Sequence, residues 1–282
     1  MIAPSRFLSI AIIVMAATIV LLMQIDFPWW LAGIVCLIPV HLLVLWAQLS
    51  PYSQWLGPVV TRFRPAPDQR ELWLTIDDGP EPEETPSVLD ALDRFGAKAT
   101  FFLIGEKVAA HPELVREIVR RGHQIANHTW SHPQYWFWAL PAQKVREEIE
   151  AGERAIRKAL KDLPDSPNLP PLFRSPVGMK AARLMPILKQ RRLHLIAWSA
   201  RGRDGAPNPD LDQVFQRLKD GAEPGAILVL HEGRGHAPAL LERLLPVLQD
   251  EAGFSCVIPS EDRWLAAGKP VVSEEAGSRS RR

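Results

Sequence analysis

Two apolar runs open the chain. Residues 7–25 read FLSIAIIVMAATIVLLMQI with no ionisable side chain, and as a helix they would reach about 28 Å, close to a bilayer core. Residues 27–49 form a second run, broken only by Pro28, Pro39 and His41, after the polar break Gln24-Ile25-Asp26. Trp29 and Trp30 at one end of it, and Trp46, Tyr52 and Trp55 near the other, stand where interfacial aromatic belts fall. The pattern predicts a two-helix transmembrane hairpin over residues 1–49. A cleaved signal peptide is the alternative for the first run. Residues 50–70 are rich in prolines and turn residues and predict a linker without helix or strand.

From Glu71 onward the pattern changes to short apolar runs alternating with helical spacings. Strands are expected at 71–76, 99–104, 123–127, 172–173, 193–198, 226–231 and 254–258. Helices are expected from Thr85-Pro86 to Gly96, and at 111–121, 142–160, 181–190, 210–220 and 238–249. Val145, Ile149, Ile156 and Leu160 mark the longest, and Pro186 is expected to kink its helix. About seven strand–helix units predict an α/β fold, a small or distorted (β/α) barrel, with a doubly wound open sheet as the alternative. The domain spans 71–265, and the tail 266–282 reads as disordered. In a barrel the chemistry gathers where strands end, and Asp77-Asp78, His128, Arg174 and His231 all fall at such positions.

Composition sharpens the division. Before Arg62 the only charged residues are Arg6 and Asp26, so nearly all of the 33 Lys and Arg and 32 Asp and Glu belong to the later part. The net charge of +1 argues against a basic nucleic-acid binder and against an acidic disordered chain. Two cysteines, Cys36 and Cys256, are too few for a disulfide framework.

Four segments carry candidate chemistry. In Thr75-Ile76-Asp77-Asp78-Gly79-Pro80 two adjacent carboxylates leave a buried strand, and each needs a cation or a proton in a cleft; a turn-capping pair is the plainer reading. In His128-Thr129-Trp130-Ser131-His132 two histidines at i, i+4 can bind one metal, without the glutamate of a zinc protease helix. With Asp78 they make a set suited to zinc or another first-row dication. Phe173-Arg174-Ser175-Pro176-Val177-Gly178 and Leu228-Val229-Leu230-His231 complete the set, and either reads equally as an ordinary strand end.

In this order the four segments resemble the polysaccharide deacetylases, the family-four carbohydrate esterases with a NodB-type domain, over about residues 71–260. The family's T-F-D-D-G-P stands here as TIDDGP, H-[ST]-x-x-H as HTWSH, R-x-P-[YF]-G as RSPVG and L-x-L-H as LVLH. The resemblance implies a distorted (β/α) barrel and a metal-dependent deacetylase that hydrolyses the N-acyl amide of an amino sugar. It implies Asp77 as catalytic base, with Arg174 bracing it, and His231 as general acid, tuned by Asp204. Asp78, His128 and His132 become the ligands of a divalent metal, Zn2+ in the first place. Val177 supplies an oxyanion N–H, and Pro176 and Trp198 contact substrate. A non-catalytic glycan-binding member is the competing expectation.

Two departures stand out. In Trp198-Ser199-Ala200-Arg201-Gly202-Arg203-Asp204-Gly205, Arg201 replaces an acid of the usual pattern and Gly205 replaces a tryptophan, which widens the wall beside His231. Val177 stands where an aromatic is usual. Residues 135–138, Tyr-Trp-Phe-Trp, read as core packing, or else as a platform for sugar rings or an interface patch. The charges flanking the spans, Arg6 before and Arg62, Arg64 and Arg70 after, against Asp26 in the loop, predict a cytoplasmic catalytic domain. The substrate reached there is a lipid-linked saccharide. An inverted hairpin or a single anchor would place the domain in the periplasm, facing cell-wall glycan.

Overall fold

The structure is a computed structural model that describes residues 28–266 apart from 162, 164–167 and 182. Its first element, α1 (Trp29–Leu49), is a 21-residue helix with Pro39 inside it. Among the described residues no helix is long and apolar enough to cross a membrane. The first arm of the expected hairpin lies outside the described residues, as does the tail beyond residue 266, so the hairpin is not shown. The side chains of Leu37, Ile38, Leu42, Leu45, Trp46 and Leu49 on α1 are exposed.

The end of α1 is tied to the domain. The Lys180 backbone N–H donates to the Gln48 carbonyl at 2.9 Å. Its buried ammonium donates to the carbonyls of Ser53, at 2.8 Å, and Ser50, and burial pushes it down to about 8.

The expected linker contains a strand, β1 (Val60–Phe63), which pairs antiparallel with a strand at the end of the described chain, Trp264–Ala266. Sequence pattern missed both because each is too short for a period and owes its existence to a partner about 200 residues away.

The main sheet is parallel. Its strands are β2 (Glu71–Gly79), β3 (Ala99–Leu103), β4 (Gln124–Asn127), β5 (Leu172–Phe173), β6 (His194–Leu195), β7 (Ala200–Arg201) and β8 (Ile227–His231). The spatial order is β6-β5-β4-β3-β2-β8-β7, and β9 (Ser255–Cys256) pairs with the start of β2; the Trp264–Ala266 strand is β10. This is a cyclic order open between β6 and β7, a curled half-barrel rather than a doubly wound sheet. Val60 bridges Ile196 and Arg62 bridges Ala226, so β1 lies across the open side.

Strand alternation sorts the side chains. Leu72, Leu74 and Ile76 of β2 and Leu228 and Leu230 of β8 join the helix-side core, whereas Trp73, Ile227 and Val229 join the inner one. A period of two therefore turns Thr75, Asp77 and His231 toward the inside.

The helices are α2 (Thr85–Arg94), α3 (Gly105–Ala110), α4 (Pro112–Arg120), α5 (Ala142–Leu160), α6 (Leu184–Arg191), α7 (Leu211–Asp220) and α8 (Ala237–Pro246). Six were expected within a few residues; the six-residue α3 was not. Pro186 is the third residue of α6, in the first turn, where its missing N–H is not needed. Cys256 is a buried free thiol.

Candidate active site

Register aligns the chemistry. Asp77 of β2 pairs with His231 of β8, Leu103 with Asn127, and Asn127 with Phe173. The residues immediately after these strand positions, His128 and Arg174, therefore emerge at the same end of the half-barrel as Asp77 and His231. A cavity of about 460 Å³ opens there, lined among others by Asp77, Asp78, His128, His132, Val177, Trp198 and His231.

Arg174 lies buried beneath it. Its Nη1 donates to Asp77 Oδ1 at 2.5 Å and to Thr75 Oγ1 at 2.9 Å. Nη2 donates to the Ala197 carbonyl at 3.0 Å and Nε to the Ile196 carbonyl at 3.2 Å. The guanidinium stacks 4.0 Å from the Phe102 ring centroid. With so many donors placed, one Asp77 oxygen is fixed and the other is left to the cavity side.

Asp78, His128 and His132 present donor atoms within 4.8 Å of one another. Asp78 Oδ1 lies 3.5 Å from His128 Nε2 and 3.4 Å from His132 Nε2, and it is buried without a hydrogen-bond partner. Two donors on one tetrahedral zinc would stand about 3.3 Å apart, so the spacing fits a shared dication. The His128 Nδ1–H donates to the Arg174 carbonyl at 2.8 Å, which leaves Nε2 with its lone pair. Burial, helped by His128 and opposed by Asp78 and Asp77, pushes His132 down to about 4, so it is neutral at pH 7. Burial raises the Asp78 carboxyl, but the contact with His128 and the electrostatic pull of the His128, His132 and His231 imidazoles outweigh it, leaving it below the ordinary carboxylate range.

The backbone is strained where the site needs it. Asp78 (φ 70°), Thr129 (φ 72°), His132 (φ 50°) and Val177 (φ 50°) are all left-handed without being glycine, a conformation costing about 1–3 kcal/mol each. The surroundings hold it. Glu148 of α5 accepts from the N–H groups of Trp130 and Ser131 at 3.0 and 2.9 Å, and Asn127 Oδ1 accepts from Thr129 N–H at 2.9 Å. A Cβ on Gly152 would meet that Asn127 oxygen at 2.4 Å, so α5 can approach only with glycine there. Gly178 (φ 69°) likewise leaves room for Trp198, whose ring a Cβ would meet at 2.4 Å.

Asp204 is buried and grips His231 twice: Oδ2 accepts from the backbone N–H at 2.7 Å and Oδ1 lies 3.0 Å from Nδ1. Burial lowers the imidazole, but Asp204, then Asp77 and Asp78, raise it to about 9. A Cβ on Gly205 would sit 3.4 Å from the His231 ring, so glycine keeps the wall beside His231 open.

Of the expected site residues, Asp77, Asp78, His128, His132, Val177, Trp198 and His231 line the cavity, Arg174 and Asp204 hold Asp77 and His231 from behind, and Pro176 is buried and outside the lining. Core packing at 135–138 holds for Phe137 alone; Tyr135, Trp136 and Trp138 are exposed. Missed from sequence were the bracing role of Glu148 and the lining residues Gln134, Arg203 and Arg234. The glutamates about His231 were missed as well: buried Glu232 accepts from Thr85 Oγ1 at 2.9 Å, and Glu84 accepts from Arg234 N–H at 3.0 Å and Ala237 N–H at 3.2 Å.

A curled parallel half-barrel, with an acid pair, an Asp-His-His set and an Asp-backed histidine at one rim, defines a carbohydrate-esterase type of fold and site. The family model described as polysaccharide deacetylase matches residues 64–196. The chain is 39% identical over 164 residues to a chitooligosaccharide deacetylase of Bradyrhizobium sp., covering 58% of this chain and 71% of that protein. It is 33% identical over 199 residues to a peptidoglycan-N-acetylglucosamine deacetylase of Bacillus cereus, covering 69% and 88%. Among solved structures, a family 4 carbohydrate esterase from Streptomyces lividans in complex with acetate superposes with a TM-score of 0.60 at 29% identity, covering 70% of this chain and 97% of that one. The chain belongs to the polysaccharide deacetylase family, hydrolases of carbon–nitrogen bonds.

Proposed function

We propose that the protein is a metal-dependent N-deacetylase of amino sugars, held at a membrane and acting on a lipid-linked saccharide. The observation that carries the chemistry is the meeting, in one cavity, of Asp77, His231 and the Asp78-His128-His132 set. Those three residues would hold the ion, zinc in the first place. When bound it supplies Lewis acidity toward the amide carbonyl and the attacking water.

The remaining work falls to the chain. Asp77, fixed by Arg174, takes the proton of the attacking water. The Val177 N–H, on a strained turn at the cavity wall, donates to the developing oxyanion. His231, kept protonated by Asp204, delivers a proton to the departing amine. Carboxylate and free amino sugar are the products, and each proton-transfer group contributes about 10²–10⁴ in rate. The exposed aromatics Tyr135, Trp136 and Trp138 flank Gln134 of the cavity lining and suit the faces of sugar rings or an interface.

Membrane attachment is supported by the uncharged residues 7–25 and by the exposed apolar side chains of α1. Lys180 ties the end of α1 close to the Val177 turn, which would bring a membrane-borne substrate near the cavity. The charge bias of the flanks favours a cytoplasmic domain. The Bacillus cereus relative, by its name, favours cell-wall glycan as substrate, the second reading, which would require the domain to face the periplasm.

The test is acetate release by purified full-length protein in detergent from N-acetylchitooligosaccharides, before and after chelation and after zinc is restored. Zinc-dependent release is expected. A protein that binds zinc but releases no acetate from any N-acetylated saccharide overturns the reading.

A further inference from the structure

We propose that Arg201, Arg203 and Arg234 form a phosphate-binding subsite in the wall of the catalytic cavity, which selects an N-acylated amino sugar bearing a phosphate or diphosphate ester. The inference rests on the deacetylase reading and names its substrate class.

The three arginines come from two separate segments, one at and beyond β7 and one beyond β8, yet all line the cavity that holds Asp77 and His231. None pairs with a carboxylate among the described residues. Arg62, Arg121, Arg191 and Arg243 pair with Glu223, Asp90, Glu150 and Asp212, and Arg116 and Arg183 donate to backbone carbonyls; what sets Arg201, Arg203 and Arg234 apart is that they share one cavity. Of the two carboxylates lining the cavity, Asp77 is held by Arg174 and Asp78 lies beside His128 and His132. Neither forms an ion pair with the three arginines, so this part of the wall carries unpaired positive charge.

Two of these charges are close. Burial and then the neighbouring Arg203 hold the Arg201 guanidinium below its usual pKa, and Arg203 sits on a left-handed backbone with φ 69°. All three side chains are exposed to the cavity mouth, where an anion can reach them and relieve the repulsion between Arg201 and Arg203. Arg201 stands 5.8 Å from the Trp198 ring centroid, so the charged wall adjoins an aromatic surface suited to a sugar. A single carboxylate carries one charge and bridges at most two guanidinium groups here, as Glu153 does with Arg157 and Arg191. Three arginines on one cavity are matched better by the several oxygens and higher charge of a phosphate or diphosphate. A neutral oligosaccharide would leave them unmatched.

Zinc-loaded full-length protein is assayed with methyl N-acetylglucosaminide, with the corresponding N-acetylmuramic acid glycoside, with N-acetylglucosamine 1-phosphate and with polyprenyl-diphosphate-linked N-acetylglucosamine in micelles. Binding of inorganic diphosphate is measured calorimetrically in the same protein and in the triple variant Arg201→Gln, Arg203→Gln, Arg234→Gln. A phosphorylated substrate is expected to exceed the neutral one in kcat/KM by about tenfold or more, chiefly through KM. The ratio should fall toward one in the variant and at high salt, and diphosphate affinity should fall with it. Preference for the polyprenyl form assigns the phosphate to a lipid carrier, and equal preference for the soluble ester assigns it to a free sugar phosphate; both support the subsite. No phosphate preference, an equal preference for the muramic carboxylate, or a preference that survives in the variant overturns it. If no substrate yields acetate while diphosphate binding still depends on the arginines, the deacetylase reading fails and the anion subsite stands.

Discussion

Asp77 and His231 face each other across the β2–β8 ladder as register partners, and each is held from behind by a buried group of opposite charge. Arg174 grips Asp77 and Asp204 grips His231. The base and the acid proposed for the reaction are thus positioned by strand pairing, and the protonation state of His231 is governed by Asp204, which does not line the cavity.

Arg174→Met leaves Asp77 buried without its cation. Breaking such a pair typically costs about 3–5 kcal/mol, so the urea midpoint should drop sharply. Arg174→Lys keeps the charge but not the fan of donors; it should fold better than the methionine variant and still lose most of kcat. A methionine variant as stable as wild type would show that the pair does not anchor the rim.

Asp77→Asn should bind zinc and lose about 10²-fold or more in kcat. His128→Ala and His132→Ala should lose zinc as well as turnover. Metal content after dialysis, read beside kcat, separates the two roles. Normal zinc in the histidine variants, with none in Asp77→Asn, would reverse the assignment.

The basic limb of the pH–rate profile reports loss of the proton that His231 must donate. With Asp204 in place it is expected near pH 9. Asp204→Asn removes the main interaction that raises the imidazole while burial still lowers it, so the limb should move toward the ordinary histidine value or below. An unmoved limb would remove Asp204 from proton control.

Glu232, next to His231 but outside the cavity lining, provides a stability test. Burial pushes it up to about 8; the Thr85 hydrogen bond and Lys107 oppose this, and Glu84 and Glu81 add to it. A carboxyl raised in the folded state stabilises fully below its unfolded value of 4.5, and that contribution fades as pH rises through 8. Glu232→Gln cannot ionise. Its melting temperature relative to wild type should therefore rise from pH 5 to pH 9, and a constant difference would count against a buried neutral Glu232.

Topology is decided by a reporter fused after Arg282 that works only in the periplasm. A silent reporter is expected, with a cytoplasmic one active at the same position. High periplasmic activity would return cell-wall glycan to first place as substrate.

The sequence by itself determined the alternation of strands and helices and the four strand ends that carry Asp77-Asp78, His128, Arg174 and His231. These signals are local: an apolar run stopped by Asp-Asp-Gly-Pro, or the unbroken helical spacing that makes α5 run over Ala142–Leu160 as expected. Strand parity, a period of two, already put Asp77 and His231 on the face of Trp73 and Val229. Only the tertiary structure decided the rest. The pairing of β1 with β10 joins residues about 200 apart and has no pattern of its own in three or four residues. Glu148 reaches the histidine loop only because Gly152 lets α5 approach it. Arg203 and Arg234 read as ordinary surface charges until the curl of the sheet brings two loops to one cavity. Burial, charge compensation and the absence of a partner are properties of an environment, and packing between distant segments, rather than spacing along the chain, creates that environment.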